Sequence, residues 1–79
     1  MTIQIAKNNM LKFGRSVMKE KIQILDTLDL PERYVFFIKP VSMSEPPNDN
    51  MFQLNKKTGK ISEFQPDMDP ENFKKAMNN

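Results

Sequence analysis

The chain has 79 residues, 38% of them hydrophobic and 28% charged, with a net charge of +2 and no Cys, His or Trp. A chain this short forms one small domain, here residues 1–79. It buries only about 60% of its unfolded surface, so its stability is narrow or shared with a partner. Without Cys or His there is no disulfide framework, no thiolate nucleophile, no Cys- or His-built metal site and none of the commonest proton shuttle.

Helical periodicity opens the chain. At about 100° per residue, Leu11, Gly14, Met18, Ile22 and Leu25 fall on one line, with Met10, Phe13, Val17, Ile24 and Leu28 beside it. Lys12, Arg15, Ser16, Lys19, Glu20, Gln23 and Asp26 take the opposite side. The pattern predicts a long amphipathic helix of about five turns, stopped at Thr27–Pro31 because Pro31 disfavours helical geometry in Leu30. It starts either at Asn8 or Asn9, leaving Thr2–Ala6 as a short strand, or, in the preferred reading, near Thr2.

Arg33–Val41 reads as a strand rich in aromatic and β-branched residues, with Tyr34, Phe36 and Ile38 on one face and Val35 and Phe37 on the other. Pro40 marks a strand end or an edge. Ser42–Asn50 is a loop, stiffened by Pro46–Pro47 and closed by the turn chemistry of Asn48-Asp49-Asn50. Met51–Leu54 and Ile61–Phe64 flank Asn55–Lys60, where Gly59 supplies the positive φ of a bulged hairpin. A short helix then runs from Pro70 to about Met77, capped by Asp69, with Phe73 and Met77 as its apolar edge. The fold class that follows is α+β: a long N-terminal helix packed on a three-stranded antiparallel meander, plus a short C-terminal helix. A sheet of this size leaves one face open.

Few constellations carry chemistry. Asp67, Asp69 and Glu71 alternate as in a calcium loop, but the loop glycine is missing and Pro70 interrupts the run; capping accounts for Asp69 and Glu71, and no metal is expected. The serines lack a His base and the glutamates no spacing that pairs them, so no catalytic residue and no cofactor is expected. The N-terminus has no apolar run of signal-peptide length and no stretch approaches the roughly 20 residues of a membrane span, which makes a cytoplasmic protein without a membrane partner the expectation.

What remains is binding. The long helix, the aromatic strand Tyr34-Val35-Phe36-Phe37 and the hairpin Phe52–Ile61 resemble the PepSY-type regulatory domain and the compact toxin-immunity proteins of bacteria over about half the chain. That resemblance implies binding to a protein. The leading expectation is a non-catalytic accessory module of inhibitor, immunity or regulatory type, bacterial or phage, that binds a protein through the open sheet face and the adjacent loop. Its candidate residues are Tyr34, Phe36, Met43, Pro46, Pro47, Met51 and Phe52, and homodimerisation through the same surface is a variant. The alternative is a small basic nucleic-acid-binding regulator. It would use Lys12, Arg15 and Lys19 on the helix, Lys56, Lys57 and Lys60 at the hairpin, and Tyr34, Phe36 and Phe52 as a stacking platform. Lysine outnumbers arginine ten to two, which suits a solvated surface better than phosphate recognition.

Overall fold

The computed structural model describes residues 1–47 and 50–78. Its elements are helix α1 (Ile3–Met18), strands β1 (Ile22–Asp29), β2 (Arg33–Pro40), β3 (Met51–Asn55) and β4 (Ile61–Glu63), a 3-10 turn at Pro66–Met68 and helix α2 (Pro70–Met77). The α+β class holds, but the antiparallel sheet has four strands, in the order β1-β2-β3-β4, and not three.

The extra strand comes out of the expected long helix. Thr2 caps α1, its hydroxyl accepting from Ile5 N at 3.3 Å, which selects the earlier of the two candidate starts. The helix ends at Met18, where Lys19 takes a left-handed conformation with φ 56° and turns the chain back. A side chain bearing Cβ is disfavoured there by about 1 kcal/mol or more. Lys19→Gly is therefore expected to stabilise the fold by about 0.5–1 kcal/mol, raising Tm by roughly 3–6 °C in a thermal melt. Lys19→Ala, which keeps the penalty, is the control; a glycine variant no more stable than the alanine one would refute the strain.

Ile22, Ile24 and Thr27 supply the β-branched character of β1, and the strand returns through Pro31-Glu32 into β2, with Leu30 N donating to Arg33 O at 3.0 Å. Pro31 thus sits in a hairpin turn instead of ending a helix. The register skips Leu25 between the Ile24–Ile38 and Asp26–Phe37 pairs. This bulge changes the phase of the strand. Ile22 and Ile24 face the same side as Phe36 and Ile38, whereas Leu28 joins Val35 on the other.

Two cores result. On one face Ala6 and Met10 of α1 pack with Ile22, Tyr34, Phe36, Ile38, Phe52 and Leu54. Gly14 lets the helix approach: a Cβ there would lie 2.5 Å from Ile22 Cδ1 and 3.3 Å from Ile38 Cδ1. On the other face Leu28, Leu30, Val35 and Phe64 form a second cluster, flanked by Phe37, Met51, Phe73 and Ala76. Phe64 has left β4 and turned inward, and its ring lies 5.8 Å from that of Phe73. β2 is accordingly covered on both faces by its own chain. The expectation of an open apolar sheet face is overturned, because α2 and Phe64 occupy the side that was left free.

The local signal holds at the β3–β4 turn and in part at the start of α2. Gly59 has φ 77° and donates to Asn55 O at 2.8 Å, while Asn55 Oδ1 accepts from Lys57 N and Thr58 N. Asp69 stands at the N-cap of α2, but its carboxylate makes no cap bond there. It turns to Asn72 Nδ2 at 3.1 Å and to Arg33 Nε at 3.8 Å, which ties α2 to the sheet. Phe73 faces the core as expected, whereas Met77 is exposed and Ala76 packs in its stead. Among the described residues no helix is long and apolar enough to cross a membrane.

Candidate functional site

The strand directions sort the expected binding residues. β1 and β3 bring their first residues to the end of the sheet where β2 finishes, and the β3–β4 hairpin lies at the opposite end with the β1–β2 turn. α1 runs between these ends, from Met1 beside Gly59 to Gly14 beside Ile22.

Three of the seven expected partner-binding residues belong to the core. Phe36 is fully buried, and Tyr34 and Phe52 are buried beneath α1, with Phe13 edge-on to Phe52 at 5.4 Å. None of these rings is open to a protein surface or to a base, so the stacking platform is corrected along with the sheet face. Met51 is half-buried against the second core. Pro47 is half-buried, and Pro46 and Met43 are exposed. Asn48 and Asp49, expected in the turn before β3, lie outside the described residues.

The lysines divide as well. At the hairpin end, Lys56 bonds Asp29, stands 4.6 Å over the Tyr34 ring and is braced by its own amide, which donates to Glu32 O at 3.0 Å. Lys56 is thus a strut across strand ends, leaving Lys57 and Lys60 exposed there. Lys12, Arg15 and Lys19 lie at or toward the far end, so the two lysine groups do not form one patch.

That far end gathers what sequence spacing did not bring together. Because the chain reverses at Lys19, Lys21 arrives beside Lys12 and Arg15, and the three line a shallow groove floored by Leu11 and Ile22. Val41 N donates to Lys21 O at 3.0 Å and Met43 N to Pro40 O at 3.1 Å, while Ser42 Oγ donates to Glu20. These bonds hold the Val41–Met43 turn against the start of β1. Leu11, Val17, Val41 and Met43 are all exposed, at 38%, 54%, 53% and 41%. Glu20 accepts from Ser42, and α1 itself contains no acidic residue. Leu11 thus lies among Lys12, Arg15 and Lys21, and Val17, Val41 and Met43 are exposed apolar side chains at the same end of the molecule. A hint of it in the sequence was the five cations against one acid in residues 1–25.

A second groove continues along β1, lined by Ile3, Lys7, Ile24, Leu25, Asp26 and Thr27. Both grooves lie beneath one stripe of α1, formed by Ile3, Lys7, Leu11 and Arg15 at four-residue spacing. No family model, no curated protein and no solved structure matches the chain.

Proposed function

We propose that this chain is a non-catalytic binding module that docks another protein at the α1–β1 end of the molecule. The observation that carries the reading is that Leu11, Val17, Val41 and Met43 stay exposed at one end, with Leu11 in a groove beside Lys12, Arg15 and Lys21, while two internal cores enclose the apolar residues of β2. Apolar side chains rimmed by charge are the usual composition of a protein-binding patch. Met43 survives from the original candidate set and Pro46 stays exposed, whereas the aromatic members give place to Leu11, Val17 and Val41.

The test compares the wild-type chain with Leu11→Glu/Met43→Glu as baits in lysate of the native host. Both positions are exposed, so the variant is expected to melt with a stability within about 0.5 kcal/mol of wild type per site. It should lose the protein that wild type retains at moderate salt. Retention of the same protein in equal amount by the folded variant would overturn the reading.

The second reading, a nucleic-acid-binding regulator, is supported by the same cations Lys12, Arg15, Lys19 and Lys21 on an acid-free helix. It predicts retained material that is nuclease-sensitive and whose affinity falls steeply with salt, with a log–log slope of about −3 for four phosphate contacts. Lys56 contributes little to such a surface, being held by Asp29 and Tyr34.

A further inference from the structure

We infer that the first half of β1 is an open sheet edge that accepts an extended acidic segment of the partner as an added strand, with α1 overhanging it. This rests on the protein-binding reading above and names the chemistry of what docks.

β1 is an outer strand. The direction of its backbone groups follows from the bonds at its ends. Lys21 O accepts from Val41 N, so the backbone groups of Lys21 point toward β2, and those of its neighbour Ile22 point away. Ile38 N donates to Asn50 O, on the β3 side, so Ile38 turns away from its partner Ile24, and Ile24 also presents its N–H and C=O outward. The second half of the edge is guarded. Leu25 forms the bulge, and Thr27 N is already taken by Asp26 Oδ1 at 2.8 Å. The contrast between a guarded half and an open half places strand addition at Ile22–Ile24.

The overhang selects the occupant. Along the α1 stripe, Lys7, Leu11 and Arg15 recur every four residues, a rise of about 6 Å. Alternate residues of a strand repeat every 6.5 Å or so. Side chains at positions one, three and five of an added strand therefore meet Arg15, Leu11 and Lys7 in turn, or the reverse. Cation, apolar, cation is complemented by acid, apolar, acid. Lys12 and Lys21 add positive charge beside the same groove, and Asp26, the acid that lines it near Lys7, already accepts from Thr27 N. Main-chain bonds would supply the attachment and the alternate side chains the selectivity.

The probe is a synthetic peptide carrying Glu, Val and Glu at alternate positions with Thr between, titrated to millimolar concentration into the isotopically labelled full chain. A peptide with Lys for each Glu is the control, and so is a single-stranded DNA oligonucleotide. At saturation the Glu peptide is expected to slow amide exchange at Ile22 and Ile24 about tenfold while leaving Thr27 unchanged. It should bind about tenfold more tightly than the Lys peptide, and Lys7→Glu/Arg15→Glu should reverse the order. The amide readout on wild type needs no variant to fold.

Glu-peptide binding with unaltered Ile22 and Ile24 exchange overturns strand addition, as does no binding by either peptide or displacement of the Glu peptide by the oligonucleotide. If partner capture is lost in Leu11→Glu/Met43→Glu while the peptide leaves both amides unaffected, strand addition fails and the protein-binding reading stands. If the peptide protects both amides but partner capture survives the double substitution, the proposed docking surface fails and the edge site stands.

Discussion

Phe36→Ala is expected to leave the chain largely unfolded near 37 °C. The ring is fully buried at the centre of the α1-facing core, between Tyr34, Ile38 and Phe52 and beneath Met10. Truncating a buried phenylalanine costs about 3–5 kcal/mol through lost transfer energy and the cavity that remains. A domain of this length has roughly 4–12 kcal/mol in total, so one side chain removes a large share of it. The measurement is a urea titration followed by far-ultraviolet circular dichroism, with Met43→Ala alongside. Met43 is exposed, and its truncation is expected to move the midpoint within about 0.5 kcal/mol. The comparison separates two of the seven candidate residues: Phe36 holds the fold, and Met43 stands exposed outside it. A Phe36→Ala chain that melts with the wild type would restore the ring to the surface and remove the two-core description.

The sequence was legible where its signals were local. Asn55–Lys60 folds from contacts within six residues, and Pro70 occupies the first turn of α2, where its fixed φ fits. The aromatic strand was also plain, since Arg33–Pro40 has the composition of a strand and little else. The misreading lay between Lys19 and Asp29. Ile22, Leu25 and Leu28 are three residues apart, a spacing that fits a helix face and also fits a strand whose phase slips by one residue at a bulge. What decides between them is pairing with β2, a contact distant in sequence and invisible to periodicity. The β-branched residues Ile22, Ile24 and Thr27 were the signal available.

The same turn explains the candidate site. Lys21 stands beside Lys12 and Arg15 only because the helix stops at Lys19, so a continuous helix would have sent it onward. The open sheet face was a reasonable inference from a strand apolar on both sides, but the final residues supply the second cover. Phe73 was read as the apolar edge of its helix and Phe64 only as the end of a hairpin strand, and it took the return of the chain across the sheet to place them against Val35 and Leu28.

That return makes Phe64→Ala the most informative change on the second face. Phe64 is 1% exposed, and the loss is expected to be about 3–4 kcal/mol. Its effect should be uneven along the chain. α2 has no fully buried residue of its own and rests on the sheet through Phe73, Ala76 and the contact of Asp69 with Arg33. The Arg33 link is weak in its own right, with Nε 3.8 Å from the carboxylate and no hydrogen-bond partner. Without the Phe64 ring, Phe73 loses its aromatic partner and α2 keeps only its packing on Leu28, Leu30 and Val35, and an eight-residue helix does not persist alone in water. Amide exchange in Phe64→Ala should therefore show α2 approaching unprotected rates while β1 and β2 stay slow, because their other core is untouched. Exchange of α2 and the sheet in a single step would mean that the two faces form one cooperative unit. Selective release of α2 would instead establish that Leu28, Val35 and Phe37 are covered by a segment that opens below the global unfolding energy.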